Sequence, residues 1–109
     1  MSKQASWQKL PKPEQPEFPG GFDALLNYIQ ANMKYPTEAM KNNEQGTVYV
    51  SFIVETNGSV SEVKTIRGVS QLCDAEAERV VRLFLQWIPG KQKGEAVRVR
   101  FVMPIKFQL

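Results

Sequence analysis

The last thirteen residues, VRVRFVMPIKFQL at 97–109, constrain the fold most, because they combine the alternation of a strand with an internal proline. The odd positions are all apolar, and the even positions are Arg98, Arg100, Val102, Pro104, Lys106 and Gln108. Such alternation predicts a half-buried strand that continues through Pro104. Because proline has no backbone N–H, it would remove a ladder bond if it faced a neighbouring strand. The segment therefore predicts an edge strand whose even residues direct their backbone groups to the open side.

An open edge of this kind has two interpretations. In the first, the positive charges and the proline protect the edge from aggregation. In the second, the edge accepts an extended guest segment as an added strand, with main-chain bonds giving affinity and side chains giving specificity. The residues alone leave both open. On the second interpretation, the partner-binding residues of this strand are Arg98, Arg100, Val102, Lys106 and Gln108.

Three segments upstream carry helical periodicity. The first covers 22–34 and must end there, because Tyr35 precedes Pro36 and is pushed out of the α region. Thr37 is placed to cap a short second helix, which ends before Gly46. The third segment, 74–88, has one apolar stripe and acidic first turns, which suit the positive end of a helix dipole.

The remaining periodic segments are strands. Residues 47–54 alternate as a strand with one buried face, and Asn57-Gly58 predicts a type I′ turn, which needs positive φ at both central residues. The return strand, 60–67, slips parity near its start and should contain a bulge there. Because a lone hairpin is barely stable, the closing strand should join it. The prediction is an α+β domain with a three-stranded antiparallel sheet, strand order 2-1-3, and helices packed on one face.

The composition excludes several function classes. The 109 residues suit one globular domain, with 42% hydrophobic and 23% charged residues. The chain has no histidine and one cysteine, Cys73, which excludes an imidazole base, an intrachain disulfide and the usual structural zinc sites. It also has no P-loop and no GxGxxG motif, so the sequence predicts no enzyme, no metal and no cofactor. A net charge of +3 is too mild to indicate a nucleic-acid partner.

The N-terminal part differs in composition. Residues 8–19 hold four of the seven prolines among charged and polar residues, which is typical of an extended, semi-rigid linker. We therefore expect residues 1–17 to be the remnant of a disordered linker and the domain to cover 18–109. No stretch approaches the roughly 18 apolar residues of a membrane span.

An ordered set of motifs now covers nearly the whole predicted domain: FPGGFDALLNYIQANMKYP, QGTVYVSFIVETNGSVSEVK, a helical segment that ends in Trp-x-Pro-Gly, and the closing VRVRFVMPIKFQL. This set resembles the C-terminal domain of TonB proteins, in the form common in Bacteroidetes. The specificity lies in the order of the motifs, since each one alone is short. The resemblance spans roughly 18–109.

The resemblance implies a periplasmic domain, anchored to the inner membrane in the full-length protein, that carries energy from the proton-driven ExbB and ExbD proteins to outer-membrane transporters. Such domains bind the transporter's TonB box as a strand beside their own last strand, here 98–108. By position, Tyr35 and Pro36 correspond to the motif that contacts the transporter plug.

The chain lacks the N-terminal membrane helix through which the family couples to ExbB and ExbD, which predicts an excised domain. The same domain also occurs fused to membrane peptidases, so the alternative is a peptide-sensing or scaffolding domain of a membrane-anchored regulator. Pairing of two copies through their edge strands, which would give a homodimer, also stays open.

Overall fold

In a computed structural model of the chain, which describes residues 14–109, the domain is α+β. The elements of the described part are α1 (Gly21–Asn32), α2 (Thr37–Lys41), β1 (Gly46–Val54), β2 (Val60–Arg67), α3 (Gln71–Arg82), β3 (Gly90–Gln92), β4 (Glu95–Val97) and β5 (Val99–Phe107). None of these helices is both long enough and apolar enough to cross a bilayer.

The main sheet has three antiparallel strands in the order β2-β1-β5, which confirms the predicted order 2-1-3. β1 is central, and it pairs with β5 over nine consecutive residues, from Gly46 opposite Phe107 to Val54 opposite Val99. The closing strand is shorter than the predicted 97–109, because Val97 belongs to a separate hairpin of β3 and β4.

The core lies between the helices and one face of this sheet. Alternate residues of β1 and β5 meet the apolar stripe of α3, because a strand directs every second side chain to the same face. The buried contacts come from Val48, Val50, Phe52 and Val54 of β1, Met103, Ile105 and Phe107 of β5, and Ala77, Val80 and Val81 of α3. The predicted packing of helices on one face is thus confirmed.

The helix boundaries differ from the prediction. α3 begins at Gln71, because the Ser70 hydroxyl accepts a hydrogen bond from the Cys73 N–H at 3.2 Å and caps it. It ends at Arg82 rather than at 88, and Phe84 and Trp87 reach the core from irregular backbone. The Thr37 cap is wrong as well: Thr37 is the first residue of α2, and Pro36 stands at the N-cap without a side-chain bond.

The type I′ turn is predicted at the wrong place. In the β1–β2 connection only Gly58 has a positive φ, 86°, and its N–H donates to the Glu55 carbonyl oxygen at 2.8 Å. The Asn57 side chain accepts from the Ser59 N–H at 3.0 Å, a local bond that asparagine often makes in turns. Two consecutive positive φ angles occur instead at Lys93 (54°) and Gly94 (81°), which join β3 to β4.

The segment before α1 pairs with the segment that follows α3. The Glu14 N–H donates to the Lys91 carbonyl oxygen at 2.6 Å, and the Lys91 N–H donates to the Glu14 carbonyl oxygen at 2.9 Å. Glu17 and Ile88 form the same reciprocal pair of backbone hydrogen bonds, at 2.9 and 2.7 Å. Phe18 follows directly, with its ring 5.6 to 5.8 Å from those of Tyr28, Phe84 and Trp87. Of the predicted linker 1–17, residues 14–17 are therefore bonded to the domain, and 1–13 lie outside the described residues.

Gly58 and Gly94 offer a matched test of close backbone approach. Both have positive φ, but a Cβ at Gly58 would collide with the Trp87 carbonyl, whereas one at Gly94 has nothing within 4 Å. We expect Gly94→Ala to cost about 1–2 kcal/mol for the left-handed conformation. Gly58→Ala should cost roughly 3 kcal/mol, since overpacking adds about 1–3 kcal/mol. Urea denaturation measures both, and equal losses would show that the Trp87 contact does not matter.

Candidate functional site

The outer edge of β5 is unpaired within the described part of the chain. β5 pairs with β1 on one side only, and the register stays one-to-one through Pro104, which lies opposite Tyr49. Proline has no backbone N–H to donate. We therefore expect the register to continue without a shift if the backbone of residue 104 faces the open side of β5, where no ladder bond is lost. Arg98 precedes β5 and Gln108 follows it, whereas Arg100, Val102 and Lys106 lie within it.

The opposite edge of the sheet, β2, is irregular. Its register with β1 shifts twice, and Glu62 has a left-handed φ of 49°, which confirms the predicted bulge. In addition, the Glu78 carboxylate of α3 accepts hydrogen bonds from the Thr65 N–H at 3.1 Å and the Thr65 hydroxyl at 2.7 Å. These bonds hold the pKa of Glu78 below its ordinary value, although partial burial opposes the shift. β5 is therefore the regular edge and β2 the blocked one.

Long cationic side chains cover the sheet face that the helices leave open. The Arg100 guanidinium donates to the Ser51 hydroxyl at 2.8 Å and lies 3.8 Å from Glu62. Ile53, which pairs with Arg100, is buried on the same face. The prediction that β1 has one buried face is therefore wrong, because the arginine side chains screen its second face with their apolar stems.

Arg98 connects this face to the β1–β2 hairpin. Its guanidinium donates to Glu55 at 2.7 and 3.2 Å and to Glu62 at 3.0 Å. The bonds from Arg98, and then the one from Ser61, hold the pKa of the Glu55 carboxyl below its ordinary value. At the other end of β5, Lys106 has no described carboxylate within 4.0 Å of its ammonium group. Positive charge is thus balanced near residue 98 and unbalanced near 106.

Tyr35 and Pro36 lie at the carboxyl end of β5, on the helix side of the sheet. The Tyr35 ring packs edge-on against Phe107 with centroids 5.5 Å apart, and its hydroxyl donates to the Glu44 carbonyl oxygen. Burial, followed by the nearby Cys73 and Glu44, raises the pKa of the Tyr35 hydroxyl. Both residues are half-buried. The structure therefore places Tyr35 and Pro36 beside the end of β5, on the opposite sheet face from the even-numbered side chains of that strand.

Sequence reasoning missed an apolar groove between α1 and β5. The helical periodicity of 22–34 does not show which of its apolar residues are buried: Leu25 and Ile29 are, whereas Phe22 is 70% exposed and Leu26 is 42% exposed. These exposed side chains line the groove together with Phe101 and Val102 of β5. The width of the apolar stripe in the sequence is the one signal that could have indicated a second contact surface.

Comparisons with known proteins concern the family and the fold of the chain. A family model described as Gram-negative bacterial TonB protein C-terminal matches residues 31–109. Among solved structures, an NMR structure of the Helicobacter pylori TonB C-terminal domain superposes with a TM-score of 0.58 at 24% identity, covering 77% of this chain and 76% of that one. A shorter piece of the same domain gives 0.56 at 20% identity, covering 78% and 89%. No curated protein sequence matches the chain.

The ion pair at the start of β5 predicts a specific titration. We expect the pKa of the Glu55 carboxyl to lie below the ordinary value for glutamate, because the Arg98 guanidinium donates to it. Because the folded pKa is lowered, the stability from this contact is present above the unfolded pKa and is lost as the pH falls through the folded value. Arg98→Gln should raise the Glu55 pKa, and Arg82→Gln, whose partner is Glu78, should not. NMR titration of the side-chain carboxyl carbon measures this, and an unchanged pKa in Arg98→Gln would contradict it.

Proposed function

Because the chain belongs to the family of Gram-negative bacterial TonB C-terminal domains, we propose that it couples energy by binding outer-membrane transporters at the β5 edge. The family is periplasmic, non-enzymatic and associated with transport energised through TonB. The proposed partner is the TonB box of a TonB-dependent transporter, which adds to the sheet as a fourth strand beside β5. Proton-motive energy from the inner membrane would then support nutrient uptake.

The observation that carries this proposal is the difference between the two sheet edges. β5 offers a regular run of nine residues in one register, whereas β2 is bulged twice and its Thr65 N–H is already bonded to Glu78. An added strand needs consecutive free N–H and C=O groups at a constant spacing. Of the two edges, β5 alone meets that requirement, with Pro104 as a single missing donor.

The energetics favour transient binding. Each added backbone bond contributes about 0.5–1.5 kcal/mol net, so four or five bonds supply only a few kcal/mol. Ordering a flexible guest costs about 2–5 kcal/mol of this. The backbone bonds alone therefore predict an affinity of roughly 0.1 mM or weaker. A tether between the membranes would raise the effective concentration enough for useful occupancy.

Four further candidate residues lie near the ends of β5. Arg98 and Gln108 flank β5 and could extend the bonded run by one residue at each end. Tyr35 and Pro36 lie beside Phe107, where a transporter plug would meet the end of the domain once its box is bound. Coupling to ExbB and ExbD would require a membrane helix outside the residues described here.

An NMR titration with a synthetic TonB-box peptide tests the proposal. We expect the largest amide shift changes at Arg100, Val102 and Lys106, with small changes along β2, because the guest's backbone would bond to the outer side of β5. Binding should be in fast exchange at micromolar to millimolar peptide. Shift changes confined to other elements, or none at millimolar peptide, would contradict strand addition at β5.

A single backbone donor can also be removed chemically. Residues 73–109 can be synthesised with N-methyl-Val102 and ligated at Cys73 to residues 1–72, then refolded. If the Val102 N–H points outward, the fold should persist and peptide affinity should fall about three- to tenfold, the equivalent of one lost bond. The unmodified ligated chain is the control. A loss of thermal stability would show that this N–H belongs to the β1–β5 ladder and would contradict the proposed edge.

A further inference from the structure

Helix α1 presents more apolar surface than the domain covers. Leu25 and Ile29 fill the core, whereas Phe22 and Leu26, four residues apart and hence on one side of the helix, stay 70% and 42% exposed. Val102 of β5 is also 42% exposed. The exposed Phe22 and Leu26 side chains border a groove on the helix side of the β5 edge, which Phe101, Val102 and Met103 also line.

The groove consists of two adjacent hollows of about 170 Å³ each. Phe22, Leu25 and Phe101 line both, so they form the wall between them. The hollow toward the carboxyl end of β5 is completed by Leu26, Ile29, Val102, Met103 and Pro104, and the other by Pro16, Glu17, Phe18, Gly21 and Trp87. An engineered apolar cavity of about 150 Å³ holds a benzene molecule, so each hollow has room for one large apolar side chain.

The hollows lie where an added strand would place its side chains. Phe101 and Met103 direct their side chains to the helix side of the sheet, and a new strand would lie about 4.8 Å beyond β5. Its alternate side chains on that side would be spaced by roughly 6.6–6.8 Å, twice the rise of a strand residue. Two residues of the guest, i and i+2, would therefore enter two neighbouring hollows.

Charge decides between the possible occupants. Arg98 and Arg100 are paired with carboxylates, whereas Lys106 has no described carboxylate partner and leaves uncompensated positive charge along β5. A second copy of β5 would bring a second uncompensated Lys106. Residues 1–13 carry three lysines and no acidic residue, so their charge does not complement that of this edge. A segment of another protein with acidic or uncharged residues on its outer side fits the edge without repulsion.

We propose that the α1–β5 groove is a specificity site that selects guest strands with apolar side chains at positions i and i+2 and an acidic residue on the opposite face. This inference rests on the proposed strand addition and goes beyond it. The backbone of β5 would bind any extended segment, whereas Phe22 and Leu26 bind only those with the apolar pattern. Helix α1 thereby acts as a selector for the edge strand.

Two peptides and three variants test this. The probes are an acetylated octapeptide that alternates valine with threonine and aspartate, and its analogue with serine in place of each valine. Phe22→Ser and Leu26→Ser remove the exposed groove walls, and Leu85→Ser, at 78% exposure and outside both hollows, is the matched control. NMR titration gives the affinity and, through the β5 amides, the position of each peptide.

We expect the valine peptide to bind about tenfold more weakly to Phe22→Ser and Leu26→Ser than to the parent chain or Leu85→Ser. The serine peptide should bind all four proteins weakly and equally. If the valine peptide shifts the β5 amides equally in all variants, the specificity site is refuted while strand addition stands. If neither peptide nor a TonB-box peptide shifts β5 at millimolar concentration, strand addition and the specificity site both fail.

Other occupants give distinct results. Nuclear Overhauser contacts from residues 1–13 to the Phe22 ring in the free protein would overturn the proposal in favour of the chain's own N-terminal segment. Concentration-dependent dimerisation that Leu26→Ser abolishes would overturn it in favour of a second copy. Sedimentation equilibrium of the parent chain and the three variants distinguishes the latter case.

Discussion

The nine-residue pairing of β5 with β1 is the constraint on which the rest of the structure depends. It joins residues 99–107 to the central strand of a sheet whose other strands come from 46–67. The core is therefore completed by pairs of residues that lie more than forty positions apart in the sequence. The same pairing fixes which side chains of β5 enter the core, since a slip of one residue would reverse every one of them. Pro104 is compatible with this register because it removes a donor only from the free side.

That register also determines the character of the two sheet faces. The helix side receives Met103, Ile105 and Phe107. The other side, which no helix of residues 14–109 covers, receives the arginines, whose bonds to Ser51, Glu55 and Glu62 tie β5 to its neighbours. Such exposed ion pairs contribute little energy individually. Their structural effect is to screen the second face of β1, so that a small domain can leave one sheet face without a second layer.

The strand order, the edge position of β5 and the bulge in β2 could be predicted from the sequence, because alternation and parity are local properties that tertiary packing preserved. The boundaries of α3 could not, since Phe84 and Trp87 continue the helical spacing while their burial comes from Phe18 and Phe52, which are distant in sequence. Asn57-Gly58 does not form the predicted type I′ turn for a related reason. The Asn57 side chain bonds to Ser59, and the two-residue motif alone does not indicate that bond. The groove escaped prediction because the stripe of α1 does not show which of its residues the sheet leaves uncovered.

The pairing of residues 14–17 with 88–91 has a mechanical consequence. A tension applied at Glu14 along the segment would stretch the bonds to Lys91 and Ile88 together, in shear, whereas the same tension applied across the segment would break them one pair at a time. The two directions differ in the force they need, although they break the same four bonds. Phe18, the next point of attachment, carries the tension directly into the aromatic core. The force needed to detach residues 14–17 from 88–91 thus depends on the direction of the tension as well as on the hydrogen bonds.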